Sequence, residues 1–165
     1  MKFLVTVGLA LALLTLESVV VKQAGLVLGR IDVTVVLVAF LALRATLLEG
    51  AFSAFAVGYL LDLMSGQPTG LFTFLAVFTF LVGRLVATFV DVRGAMSFAL
   101  FAMGADVGHS LLSTFFTWLT VKDGGTSSLS GLPLQVVLTG AAALALFPLL
   151  RRFEASQERQ TGLLR

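Results

Sequence analysis

Residues 50–70 read GAFSAFAVGYLLDLMSGQPTG. An apolar stretch runs to Met64 and is broken by Ser65-Gly66-Gln67-Pro68. Within it Gly50, Ala54, Gly58 and Asp62 recur at every fourth residue, and Gly66 continues the spacing past the break. On a helix that spacing makes one face. Small residues on such a face let a second helix approach closely, which is how helices associate where no hydrophobic driving force separates them from lipid. The face therefore packs inward and carries Asp62 with it. A carboxylate near the C-terminal end of a helix opposes the helix dipole, so it needs donors. The nearest supply is the amides of the loop and of the next helix start, where Pro68 suits a first turn and Thr69 can cap. Two readings of Asp62 stand: a structural staple across a tight turn, or a site for a partner or ligand.

The composition says where such a hairpin sits. Of 165 residues 58% are hydrophobic and 12% charged, and the mean hydropathy is +1.04. Soluble domains carry about 25% charged residues, so this chain could not cover a water-facing surface. A soluble enzyme, a disordered chain and a fibrous one are excluded. Cys is absent, which removes disulfides and thiolate chemistry. His109 is the single histidine, too few for a multi-histidine metal centre. The formal net charge is +2 with the basic residues scattered, so no continuous stripe exists to bind nucleic acid. No phosphate loop, dinucleotide fingerprint or zinc-protease motif occurs. The expectation is a non-enzymatic protein without cofactor or metal.

Six apolar runs are separated by polar punctuation: Phe3 to Val21, Ile31 to Leu43, Ala51 to Met64, Thr69 to Val90, Ala95 to Val121 and Leu132 to Leu150. A membrane helix needs about 20 apolar residues. The second and third runs are short, and they must bury their polar flanks in protein, span a thinned bilayer, or form a re-entrant hairpin. A turn through Glu49 and Gly50 is expected between them. The first run lacks a small-x-small site before Lys22 and reads as a retained anchor rather than a cleaved signal. The fold class is thus an all-α polytopic membrane protein of about six transmembrane helices. It divides into a transmembrane domain over 1–150 and a charged cytoplasmic tail over 151–165. With both termini inside, eight Lys and Arg residues fall on the inner side and three, Lys22, Arg30 and Lys122, on the outer. Lys and Arg excess marks the cytoplasmic side.

In the fifth run Asp106 and His109 are three apart and face one way. Gly104 and Gly108 accompany them at the small-residue spacing. A carboxylate at mid-bilayer costs about 2.5–3.5 kcal/mol on insertion scales, so it must have a partner. An interhelical pair, with Arg84 or Glu17 as the basic or acidic counterpart, competes with a proton relay. A Ser–His–Asp triad does not fit, because Asp106, His109 and Ser110 lie along one helix.

The block Gly58-Tyr-Leu-Leu-Asp62-Leu-Met-Ser65-Gly66-Gln-Pro-Thr-Gly70 resembles the signature of the MreD family of bacterial rod-shape-determining membrane proteins, D-L-x-S-G-x-x-x-G after a Leu-rich helix. Arg30-Ile31-Asp32 is similar to the family's charged entry to its second span, with Ile31 where a Pro is usual. Leu43-Arg44 through Leu48-Glu49-Gly50 resembles the turn before the third. The likeness covers about residues 30–90; the rest agrees in length and span number. It implies a scaffold of the bacterial inner membrane that docks an MreC-type single-span protein among membrane lipids. It also implies work beside an MreB-type filament, a RodA-type glycosyltransferase and its transpeptidase to position peptidoglycan synthesis. The implied fold is similar to the substrate-binding subunits of energy-coupling-factor transporters. That similarity supplies the alternative function, a vitamin-like small-molecule binding subunit of a transporter.

The orientation is testable directly, since no native thiol interferes. Gln67→Cys and Ser128→Cys should react with an impermeant maleimide added to intact cells, and Ser156→Cys should react only after lysis. Labelling of Ser156→Cys in intact cells would reverse the assignment.

Overall fold

The computed structural model describes residues 8, 9, 11–13, 15, 32–64, 70–120 and 131–162, where every regular element is helical. Helix α1 is Val33–Arg44. Asp32 starts it as N-cap, its Oδ1 accepting the Val35 amide at 3.0 Å. From Thr34 to Ala42 every residue is buried. Twelve residues rise about 18 Å, well short of the ~30 Å hydrocarbon core. Both ends of α1 must then be satisfied inside the protein. At the N-terminus the amide of Asp32 donates to Thr139 Oγ1 at 3.4 Å. At the C-terminus Arg84 Nη1 donates to the carbonyls of Ala42, at 3.4 Å, and Ala45. A cation at that end also complements the helix dipole.

Helix α2 is Leu47–Met64, so Glu49 and Gly50 lie within a helix and the turn falls at Ala45–Thr46. The expected turn at 49–50 is corrected by a capping contact: Thr46 Oγ1 donates to Glu49 Oε2 at 3.0 Å. Thr at the cap with Glu three residues on is a helix-start signature. Gly50 serves close packing instead, since a Cβ there would run into the Phe80 ring. Helix α3, Leu71–Ala87, is shorter than its apolar run, because Gly70 is its N-cap and Thr88 to Val90 close a turn on Leu85 and Val86. Helix α4 is Ala95–Thr120 and α5 is Leu132–Gly162. The last helix continues past Arg151, so the boundary expected between residues 150 and 151 falls inside one element. Its Arg, Glu, Gln and Ala residues are compatible with continued helix.

Helix α1 packs against each of the other four, while α2 pairs extensively with α3 and α4 with α5. The core is Phe40, Phe80, Phe98 and Phe147 around the aliphatic face of α1, with Phe40 edge-on to Phe98 at 6.0 Å. Leu13, among the helical residues near the N-terminus, joins it. The outward faces are also apolar: Phe52, Phe55, Tyr59 and Leu63 of α2 are all at least half exposed. Leu47–Met64, Ala95–Phe116 and Leu132–Arg152 are long and apolar enough to cross a bilayer. A water-soluble surface does not carry so much contiguous apolar area. This is an all-α, multi-helix protein consistent with a polytopic membrane bundle.

On α2 the face of Gly50, Ala54, Gly58 and Asp62 is buried, and Val57 beside it is buried as fully. At Gly58 a Cβ would lie 2.5 Å from Thr73 Cα and 2.7 Å from the Phe72 carbonyl oxygen, so α2 and α3 touch backbone to backbone. At Gly104 a Cβ would meet open space. Gly58→Ala should therefore cost about 1–3 kcal/mol through overpacking. Gly104→Ala should be neutral or stabilise by up to about 1 kcal/mol through helix propensity. Thermal unfolding of both variants in detergent measures the difference; equal melting would show that α2 and α3 are not in backbone contact.

Candidate functional site

Asp62 is 1% exposed. Its Oδ1 accepts the Phe72 amide at 3.3 Å, and its Oδ2 accepts the Thr73 amide at 2.9 Å and the Thr73 hydroxyl at 2.5 Å. These are the second and third amides of α3, which an N-cap side chain ordinarily satisfies. Gly70 occupies the cap with φ +73° and has no side chain to offer. Asp62 reaches across from α2 and does that work, its charge placed at the favourable end of the α3 dipole. The cap is thus Gly70 with Asp62, where the sequence suggests Thr69. Gly70 is needed because the left-handed conformation is costly for residues with a Cβ. Ser65 and Gly66, also candidates from the sequence, lie outside the described residues.

A second group of polar side chains crosses the bundle near the start of α1. Asp106, fully buried on α4, accepts from Gln135 Nε2 of α5 through Oδ1 at 3.0 Å. The same amide nitrogen donates to Ser110 Oγ at 3.0 Å. His109 Nδ1 shares a hydrogen bond with Thr79 Oγ1 of α3 at 3.1 Å, and its Nε2 stands 3.9 Å from Asp32 Oδ2. Asp32 in turn reaches Thr139 of α5 through its amide. The seam thereby links α1, α3, α4 and α5 by side chains from each. Of the counterparts expected for Asp106, Arg84 is instead engaged on the end of α1, and Glu17 lies outside the described residues. Asp106 and His109 share the seam but have different partners.

Between α3 and α4, which touch only sparsely, runs an open groove of about 820 Å³. Its walls are Phe, Leu and Val, with Gly104 and Gly108 on the α4 side and the Thr79–His109 pair at its base. Gly104 and Gly108 are exposed, with open space where a Cβ would be. On the α3 side Gly83 lines the groove as well, but its missing Cβ leaves room for Ala42 of α1 and for Phe101.

Asp32, Thr79, Gln135 and Thr139 were not singled out by chemistry in the sequence. Asp32 and Thr79 lie in two different apolar runs, and Gln135 and Thr139 lie four apart in a third. The usable signal is simply that a polar residue inside an apolar run needs a partner. No family model, curated protein or solved structure matches the chain.

Asp62→Ala would leave two helix-start amides and a hydroxyl without their acceptor, at a cost of about 1–3 kcal/mol per buried group. Thr73→Val, which keeps the amide bond, should cost less, and Asp91→Ala in the exposed loop should cost little. Melting temperatures in detergent give the order; an unchanged Asp62→Ala would show that the remote cap is dispensable.

Proposed function

We propose that this protein is an MreD-type, non-enzymatic scaffold of the bacterial inner membrane, lying with both termini in the cytoplasm. Its bundle docks the membrane span of an MreC-type partner and so helps position peptidoglycan synthesis along the cylinder, beside an MreB-type filament, a RodA-type glycosyltransferase and its transpeptidase. The α3–α4 groove carries this reading. It is apolar, opens along the length of two helices, and presents Gly104 and Gly108 one turn apart, where a partner helix could approach backbone to backbone. The family-like block around Asp62 supports the same reading from another side. Its carboxylate is used in holding α2 to α3, as befits a motif that shapes the bundle rather than one that does chemistry. The fold similar to energy-coupling-factor binding subunits belongs to this proposal.

The polar seam favours the alternative, a small-molecule binding subunit, more than composition alone would. Against it, the seam's side chains largely bond one another, and the groove is nearly devoid of convergent polar groups, which a ligand pocket needs for orientation.

In a rod-shaped host, depletion should give round cells, and the tagged protein should co-purify with the MreC-type partner. Gly108→Leu should fold, since its side chain enters open space, yet should lose the partner at least tenfold in co-purification. Retention of rod shape on depletion, together with a vitamin-like ligand tightly held by the purified protein, would replace the scaffold by the binding subunit.

A further inference from the structure

We propose that Asp106 anchors a binding site for one monovalent alkali cation inside the polar seam. Asp106 is fully buried, and while its Oδ1 is held by Gln135, its Oδ2 has no hydrogen-bond partner. A carboxylate oxygen in an apolar interior is costly unless paired. Besides the Thr139 hydroxyl, which stands beside the carboxyl, the neighbouring donors are already committed. Both hydrogens of the Gln135 amide are used, one on Asp106 and one on Ser110. The imidazole of His109 is engaged by Thr79 on one side and faces Asp32 on the other. Arg84 serves the carbonyls that end α1.

The surroundings of Oδ2 narrow the ligand. Asp32 and His109 lie close enough to Asp106 to act on its charge, and the fully buried Thr139 stands beside it. Apart from the imidazole, the groups around it offer carboxylate and hydroxyl oxygens, which suit hard cations and not soft ones, while Gln135 turns its amide nitrogen toward Asp106. No three carboxylate or imidazole groups gather as a metal centre among the described residues. A divalent ion, which takes six or more oxygens with several carboxylates among them, is therefore poorly served. With Asp32 engaged by the Val35 amide and facing His109, the Asp106 carboxylate and neutral hydroxyl oxygens match a single positive charge. Asp32, at the neighbouring end of the seam, keeps 26% of its side chain exposed. An intramembrane carboxylate of this kind commonly marks an ion site. This site is separate from the groove, so its occupancy is tested on the purified chain without any partner.

The test is thermal unfolding in detergent at pH 8 and constant ionic strength, with choline chloride replaced stepwise by sodium chloride or potassium chloride. A ligand that binds the folded state raises the melting temperature by mass action. The expected rise is roughly 5–10 °C once the better cation reaches a hundredfold excess over its dissociation constant. The rise should vanish in Asp106→Asn, need at least tenfold more salt in Thr139→Val, and persist in Asp91→Asn, whose carboxylate is in the exposed loop. Identical melting of the native protein in sodium, potassium and choline would overturn the proposal, as would an undiminished response in Asp106→Asn. If Asp106→Asn does not fold, Thr139→Val decides: an unshifted salt dependence there overturns it too.

Discussion

A helix that ends inside a bilayer leaves backbone amides or carbonyls with no water to bind, and the structure is organised around meeting that demand. Helix α1 is too short to cross and is enclosed on all sides, so its two ends depend on Asp32 and Arg84. Helix α3 begins at a glycine with no capping side chain, so its first amides depend on Asp62. Three of the chain's few charged residues are thus spent on helix termini. Each also ties the terminus it serves to another element: Arg84 joins α3 to α1, Asp62 joins α2 to α3, and Asp32 joins α1 to α5 through Thr139. Capping and tertiary assembly are the same contacts here.

His109 is where the two candidate surfaces meet. One ring nitrogen faces Thr79 at the base of the apolar groove, and the other faces Asp32 in the polar seam. The groove is suited to something hydrophobic and elongated, the seam to something small and charged. Through one imidazole, whatever occupies either surface sits two bonds of contact from the other.

Much of the helix content was legible from the apolar runs, because in this chain polar residues are rare enough to punctuate. The face of Gly50, Ala54, Gly58 and Asp62 was legible from its spacing, and the need of Asp62 for donors from its place at a helix end. What misled was local chemistry with two meanings. Glu49-Gly50 looks like a turn, but Thr46-Leu47-Leu48-Glu49 is a helix start, and Gly50 is there for Phe80. The charged residues after Arg151, read as a tail, continue the last helix to Gly162. The seam was the least legible part. Asp106 and His109 were visible as a pair on one helix. Gln135, Thr139, Thr79 and Asp32 come from three other helices' worth of chain, and only the packing around α1 brings them together.

The course of α5 past the bilayer carries a mechanical consequence. Leu132–Arg152 is the part suited to the bilayer, and about ten more residues extend the same helix by about 15 Å. Pro148 sits inside the helix, between that extension and the turns that hold Gln135 against Asp106 and Thr139 against Asp32. A proline in a helix interior removes a backbone hydrogen bond and kinks the helix. A load on the extension would therefore be taken up by bending at Pro148 before it reached the polar seam.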